Sequence, residues 1–407
     1  MRIDWSGAFS QGGRTIFKKG IQMDSRKNGF GRLLAVLSIY FLTTGINAVQ
    51  PALDSIAGEF PNVPLTLIYL LNTVPTLVGL LVILLMGRTV GRHVPFRVAA
   101  LFGVAAFSVI GVAPFFLEGF PIILASRALL GIGVGIITML GPALALLLFD
   151  EGERSKVLGA TNFANNLGNM FFLLVGGMLA SFGWRMTFLS YLVGAATLVV
   201  IAFLLPEPQT AGGEDAGSEQ ERIPGAVFRI SLFFGMNILF LIPAYLNFSS
   251  LVVSAGVGDA AIAGGLLSAG TVAGMVAGLL YGRFRSVFGG ASMAASSMCG
   301  LISAVLLWKG NGLGALLLGS LFAGACMSLL IITATMDVGM VCSPSVTARA
   351  TGIAMGAMSI GSFMASFYAG ALSAVPGQDP LRFVFLVSAI GFGLLAAMEL
   401  LAWRRAR

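Results

Sequence analysis

Four asparagines fall within eight residues of an otherwise apolar stretch. They are Asn162, Asn165, Asn166 and Asn169 in ATNFANNLGNMFFLLVGG, residues 160–177. At about 100° per residue they share an arc of roughly 100° on a helix. Four amides on one stripe present donors and acceptors without net charge. Two kinds of chemistry fit. The stripe can be one wall of a water-filled cavity for a polar solute. One or two such residues would more simply bond a neighbouring helix, at only about 0.6 kcal/mol per pair in lipid, whereas four on one face favour the cavity. Thr43, Thr44, Asn47 and Gln50 recur at similar helical spacing, and Asn72, Asn237 and Asn247 are further amides in apolar surroundings.

Charged groups in such surroundings are few. Arg127 carries a guanidinium that costs at least ~2.5 kcal/mol in lipid unless it faces water or a partner. Asp337 can serve as a protonatable carboxylate or pair with a loop arginine such as Arg283 or Arg285. Asp54 and Glu399 stand near the ends of apolar runs, Glu399 close to Trp403 and Arg404, where an interfacial carboxylate is unremarkable. The sequence has no G-x-x-x-x-G-K-[ST] loop, which argues against an ATP motor. The single histidine, His93, no H-E-x-x-H and no Cys/His cluster argue against a metal site or an intramembrane hydrolase. No metal or other cofactor is expected, and no disulfide among Cys299, Cys326 and Cys342, which lie in or at the ends of apolar runs.

The elements that must position these groups are legible in the composition. The 407 residues are 57% hydrophobic and 10% charged, with mean hydropathy +0.94. Soluble domains carry about 25% charged residues, so lipid must be the solvent for much of this chain. Apolar runs of about 20 residues, enough to cross a bilayer core, occur at 32–54, 65–86, 95–116, 121–148, 157–180, 186–204, 226–252, 260–281, 290–308, 312–341, 351–373 and 382–403. Uninterrupted runs predict helices rather than the alternating strands of a barrel. Every Asn or Gln inside a run is in the first, second, fifth or seventh; the third, sixth, ninth and twelfth have none, as lipid-facing helices should.

All but four of the 24 basic residues fall in the N-terminal arm, the tail and alternate loops if both termini are cytoplasmic; the exceptions are Arg127, Arg185, Lys309 and Arg382. That distribution obeys the positive-inside rule. It also sets aside nucleic acid as a partner, despite a sequence pI near 9.7. The basic N-terminal residues lack the apolar core of a signal peptide. They are expected to form a flexible cytoplasmic arm over 1–31.

Residues 205–225, PEPQTAGGEDAGSEQERIPGA, read as a cytoplasmic linker. They divide the runs into 32–204 and 226–403, with 404–407 as a cytoplasmic tail. The halves echo each other. LMGR (85–88) and LYGR (280–283) follow the second and eighth runs, while KVLG (156–159) and RATG (349–352) open the fifth and eleventh. Gly159 and Gly352, Gly168 and Gly361, and Gly177 and Gly370 are each 193 residues apart. Repeated halves with a site between them are a common transporter plan. The expected fold is an all-α polytopic membrane protein, twelve transmembrane helices in two pseudo-symmetric six-helix bundles.

From about residue 30 to 405 the chain resembles the major facilitator superfamily (MFS) of transporters. The loop GRTVGRHVPFR, with Gly87, Arg88, Gly91 and Arg92, is similar to the family's first-loop motif Asp-Arg-x-Gly-Arg-Arg. Arg88 stands where the aspartate would be. Arg127 followed by Gly131 resembles the fourth-span Arg-x-x-x-Gly, an arginine implicated in relatives in proton transfer or recognition of substrate charge. The alternative is a structural arginine bonding carbonyls. Gly168, Gly176 and Gly177 hold the spacing of the antiporters' Gly-x-x-x-Gly-Pro-x-x-Gly-Gly, but Phe172 and Leu173 replace its Gly-Pro pair. The resemblance implies a secondary active transporter of the drug:H⁺ antiporter-like branch in the cell (inner) membrane, working as a monomer among lipids. It would move a small organic solute by alternating access, in proton-coupled efflux, or alternatively by uptake or uniport of a small polar or anionic metabolite. The substrate-binding candidates are Asn47, Gln50, Asn72, Arg127, Asn162, Asn165, Asn166, Asn169, Asn237 and Asn247. Asp54, Arg127 and Asp337 are the candidates for proton coupling.

Overall fold

The computed structural model describes residues 29–87, 89–208 and 222–405. Most of the N-terminal arm and of the linker, and Arg88, lie outside them. Among the described residues, twelve helices are long and apolar enough to cross a membrane: α1 (Gly29–Glu59), α2 (Leu65–Met86), α3 (Phe96–Phe115), α4 (Phe120–Leu148), α5 (Lys156–Ala180), α6 (Trp184–Leu204), α7 (Gly225–Leu246), α8 (Ala260–Leu279), α9 (Tyr281–Lys309), α10 (Leu313–Val341), α11 (Arg349–Ser373) and α12 (Phe383–Arg404). An even number of crossings puts residues 29 and 405 on one face, hereafter the termini face.

Three spans depart from the simple rods that hydropathy predicts. After a turn at Thr43 and Thr44, α1 tightens into a 3-10 helix, Gly45–Ala52, which contains Pro51. Proline removes a donor from the ladder. A side chain on Gly45 would strike the Phe107 ring, so the chain passes there only as glycine. α7 breaks into Gly225–Leu241 and Pro243–Leu246, and a further short helix, Phe248–Ser254, follows it. α9 opens with an amphipathic segment, Tyr281–Phe288, before Ser292–Lys309; Arg283 and Arg285 hide that segment from a hydropathy reading.

The packing repeats the sequence duplication. In the first half α2 and α3 pack on α4, α1 on α5, and α3 on α6. In the second half α8 and α9 pack on α10, α7 on α11, and α9 on α12. Between the halves α5 meets α8 and α2 meets α11, a pair that the duplication interchanges. The repeated glycines explain how. A Cβ on Gly168 would strike the Phe41 carbonyl of α1, and one on Gly361 the Gly235 carbonyl of α7. A Cβ on Gly177 would strike Ala260 of α8, and one on Gly370 would strike Thr66 of α2. Apolar helices gain little from leaving lipid for one another, so close backbone approach over small residues holds such bundles together. Gly159 and Gly352 face open space, so their match has no steric reason.

The loop after α2 turns at Gly91, whose φ of +85° suits glycine. Gly87 caps α2, and Arg92 is exposed. Beyond α6, Glu207 accepts from the backbone N–H groups of Phe96 (2.6 Å) and Arg97 (2.9 Å). A carboxylate there satisfies free donors at the start of α3 and complements its dipole.

Candidate functional site

The asparagine stripe divides into two roles. Asn165 Nδ2 donates to Thr43 Oγ1 (2.7 Å), and Thr43 Oγ1 donates to the Tyr40 carbonyl (2.6 Å). One turn further, Asn47 Nδ2 donates to Asn169 Oδ1 (2.7 Å), and Gln50 Nε2 donates to Asn47 Oδ1 (3.1 Å). Four-residue steps on α5 thus meet four-residue steps on α1. Asn169 Nδ2 then donates to Thr271 Oγ1 of α8 (2.8 Å), so the chain of amides crosses from one half to the other. Asn165 and Asn169 hold helices together.

Asn162 and Asn166 do not. They continue toward the termini face the row that holds Met170, whose carbonyl accepts from Ser268 of α8 at 3.2 Å. Leu173 and Gly177 extend the same contact with α8 in the other direction. Residues four apart share a helix face. Where that face no longer touches α8 it presents Asn162, exposed, and Asn166, half-buried. Among the described residues, Asn166 Nδ2 donates only to its own helix, at the Asn162 carbonyl (2.9 Å).

The remaining hydrogen bonds between the halves lie toward the opposite face. Tyr69 Oη donates to Asn247 Oδ1 (2.5 Å), Thr73 and Ser366 share a hydrogen bond (2.6 Å), and Ser249 Oγ donates to the Pro51 carbonyl (2.5 Å). With the Gly177 and Gly370 contacts they close that face. Of these bonds between the halves, Asn169–Thr271 lies nearest the termini face.

Arg127 is enclosed, with 0% of its surface exposed. Its Nε donates to the Leu71 carbonyl (2.8 Å), Nη1 to Tyr191 Oη (2.7 Å) and Nη2 to the Ile46 carbonyl (3.1 Å). The Leu71 carbonyl is vacant because its helical partner would be residue 75, a proline without an N–H. The Ile46 carbonyl belongs to the 3-10 stretch of α1. Phe188 and Tyr191 rings cover the guanidinium at 5.8 and 5.5 Å, within cation–π range. The arrangement is the carbonyl-bonding one of the two alternatives, not a group facing a solute.

Other expected site residues are dispersed. Asn237, expected among the solute-lining amides, lies inside the second half, where its Nδ2 donates to Glu399 Oε1 (2.9 Å). Asn247 belongs to the closed face. Gln50 and Asn72 are buried, and Gln50 Oε1 and Asn72 Oδ1 have no protein donor among the described residues. Asp54 stands in the first turn of Leu53–Glu59, at the closed face. Asp337 pairs with Arg285 at 2.8 Å, the structural alternative. Gly176 packs on the Ala48 carbonyl of α1. Phe172 fills the place of the antiporters' glycine with a ring packed among Phe41, Phe107, Phe171 and Tyr191. Glu399 is the residue that the sequence concealed: only 7% exposed, it resembles an interfacial carboxylate only because Trp403 and Arg404 follow it.

Twelve crossing helices in two interchanged sets define a multi-pass membrane protein with the architecture of secondary transporters. Residues 33–308 match the family model described as Major Facilitator Superfamily, and the chain belongs to that family. Solved structures agree in fold. The nucleoside transporter NupG, in a mutant form, superposes with TM-score 0.75 at 14% identity, over 91% of this chain and 99% of that one. A bacterial homologue of the human lysosomal transporter Spinster, inward-facing and unoccupied, gives 0.72 at 15% over 93% and 97%. A D-xylose-proton symporter gives 0.71 at 17% over 91% and 97%. At these identities the likeness concerns the fold.

Proposed function

We propose that this chain is a secondary active transporter that moves a small organic solute across the cytoplasmic membrane by alternating access, exporting it in exchange for protons. The observation that carries the reading is the division of the α5 face: sealed against α8 from Met170 outward, open at Asn166 and Asn162. The solute enters the opening and meets uncharged amides. The buried acceptors Gln50 Oε1 and Asn72 Oδ1 are deeper groups that a solute or water serves once the halves part. Basic loops assign the termini face to the cytoplasm, so this conformation is open inward. Efflux rests on the glycine spacing of α5. A second reading, uptake or uniport of a small polar or anionic metabolite, is favoured by Phe172 and Leu173, which give α5 a packed aromatic cluster where the antiporters have a kink.

The test begins with a thermal-shift screen of the purified protein against sugars, organic anions and cationic drugs at two pH values. A ligand at about 100 times its Kd stabilises the state it binds by about 2.7 kcal/mol. Asn162→Leu and Asn166→Leu should abolish the shift given by the best compound while leaving the unliganded melting temperature within a degree or two. Asn165→Leu and Asn169→Leu should lower that temperature. A ligand shift that survives both of the first substitutions sinks the proposed site.

A further inference from the structure

A second polar centre lies inside the second half, away from the contact between halves. Asn237 Nδ2 donates to the Phe233 carbonyl and to Glu399 Oε1, both at 2.9 Å. Those two acceptors fix the orientation of the amide, so Asn237 Oδ1 can only accept. Ser297 Oγ stands 2.7 Å from Asn237 Oδ1, 2.9 Å from Glu399 Oε2 and 3.1 Å from the Met293 carbonyl. A serine hydroxyl has one hydrogen to donate. With Glu399 ionised, three acceptor oxygens surround that single hydrogen, and two of the three oxygen–oxygen pairs are left without a proton. With a proton on Oε2 only the longest of them, the 3.1 Å approach to the Met293 carbonyl, is left without one. Oε2–H donates to Ser297 Oγ, Ser297 donates to Asn237 Oδ1, and Asn237 Nδ2 donates back to Oε1. The ring closes with every member served.

We propose that Glu399 is a proton-binding site, and that in this conformation it holds its proton between Oε2 and Ser297 Oγ. The surroundings agree. No cation pairs with Glu399 among the described residues: Arg285 is bound to Asp337 at 2.8 Å. An unpaired carboxylate buried in a low-dielectric site is costly and takes up a proton instead. A cleft lined by Arg229, Phe233, Met293, Asp337, Glu399 and Trp403 among others leads to the carboxyl. Arg229 lies one turn from the start of α7 and Trp403 at the end of α12, so the cleft opens at the termini face and supplies the route for exchange with water. The titratable groups facing Glu399 are Arg229 on α7, Asp337 with its Arg285 partner on α10 and α9, and Cys326 on α10, whose Sγ donates to the Ser296 carbonyl at 3.3 Å.

Loss of the proton breaks the ring at α7, the helix that Asn247 caps at its other end, where it accepts from Tyr69 of the first half. Proton binding thereby reaches a contact that closes the opposite face. This last link rests on the transport reading above; the proton site does not.

The test is infrared difference spectroscopy of the purified full-length protein, titrated from mildly acidic to mildly alkaline pH. Wild type should show the carbonyl band of a protonated carboxylic acid that disappears as pH rises. The band should be absent from Glu399→Gln and present in Asp337→Asn. Gln reproduces the protonated ring, because its amide nitrogen donates to Ser297 and its oxygen accepts from Asn237. Glu399→Gln should therefore melt within a degree or two of wild type at acidic pH. A wild-type spectrum without such a band, or a band unchanged in Glu399→Gln, overturns the proposal. So does a Glu399→Gln protein that melts well below wild type at every pH or fails to fold. None of these outcomes depends on the solute or the direction of transport.

Discussion

Arg127→Ala should lower the thermal stability of the protein and its transport together. The substitution strips the Leu71 and Ile46 carbonyls and Tyr191 Oη of their donors at a site that neither water nor lipid reaches. An orphaned buried acceptor costs about 1–3 kcal/mol, and truncation of a large buried side chain typically costs a further 2–5 kcal/mol through the space it leaves. Relief of the buried charge returns on the order of 2.5 kcal/mol of that, so with three acceptors orphaned the net loss is about 3 kcal/mol or more. Arg127→Lys should recover only part of it. One ammonium cannot follow a planar fork to three acceptors on α1, α2 and α6. Melting curves of both variants in detergent check this. A wild-type melting temperature for Arg127→Ala, with transport lost, would instead place the guanidinium in contact with solute or coupling carboxylate.

Gly177→Val and Gly370→Val should leave the protein folded but shift it away from the conformation described here. Each introduces a side chain where the backbones of opposite halves touch, Ala260 against Gly177 and Thr66 against Gly370. Overpacking costs about 1–3 kcal/mol. Here the halves can avoid it by parting at that face, so the cost appears as a shift of roughly 5- to 150-fold in the equilibrium between open and closed states. Gly168→Val and Gly361→Val meet backbone within their own halves, Phe41 and Gly235, in helix pairs that stay packed in either conformation. They should lower stability instead. Distances between spin labels in the loops at residues 62 and 256 report the parting. An unchanged distance distribution in both Gly177→Val and Gly370→Val would show that these contacts do not gate that face.

The sequence expresses the membrane architecture well, because each crossing must be apolar along its length. The runs 121–148 and 157–180 differ by one residue from Phe120–Leu148 and Lys156–Ala180. Internal breaks are less visible. Pro51 and Pro243 mark two of them, but hydropathy averages across both. Within the site, spacing identified a face of α5 without its partners. Asn165 and Asn169 find Thr43 and Asn47, while Asn162 and Asn166 lie beyond the contact with α8, a distinction set by where two helices diverge. Arg127 did carry a readable signal. A proline at 75 leaves the carbonyl at 71 vacant, and a lone buried guanidinium is a natural donor for it. Asn237 and Glu399 are far apart in the chain and polar for a reason that appears only when α7, α9 and α12 enclose them.

The most direct test of alternating access from this structure is the rate at which an impermeant thiol reagent modifies Cys at position 162. The measurement uses a background without Cys299, Cys326 and Cys342, in right-side-out and inside-out vesicles. A second single-Cys protein at position 90, in the loop after α2, identifies the termini face. Modification at 162 should be fast from the face that labels position 90. From the other face, modification should be slow in the wild-type background and accelerated by Gly177→Val. Modification of 162 only from the face opposite position 90, or from neither face in both backgrounds, would contradict this expectation.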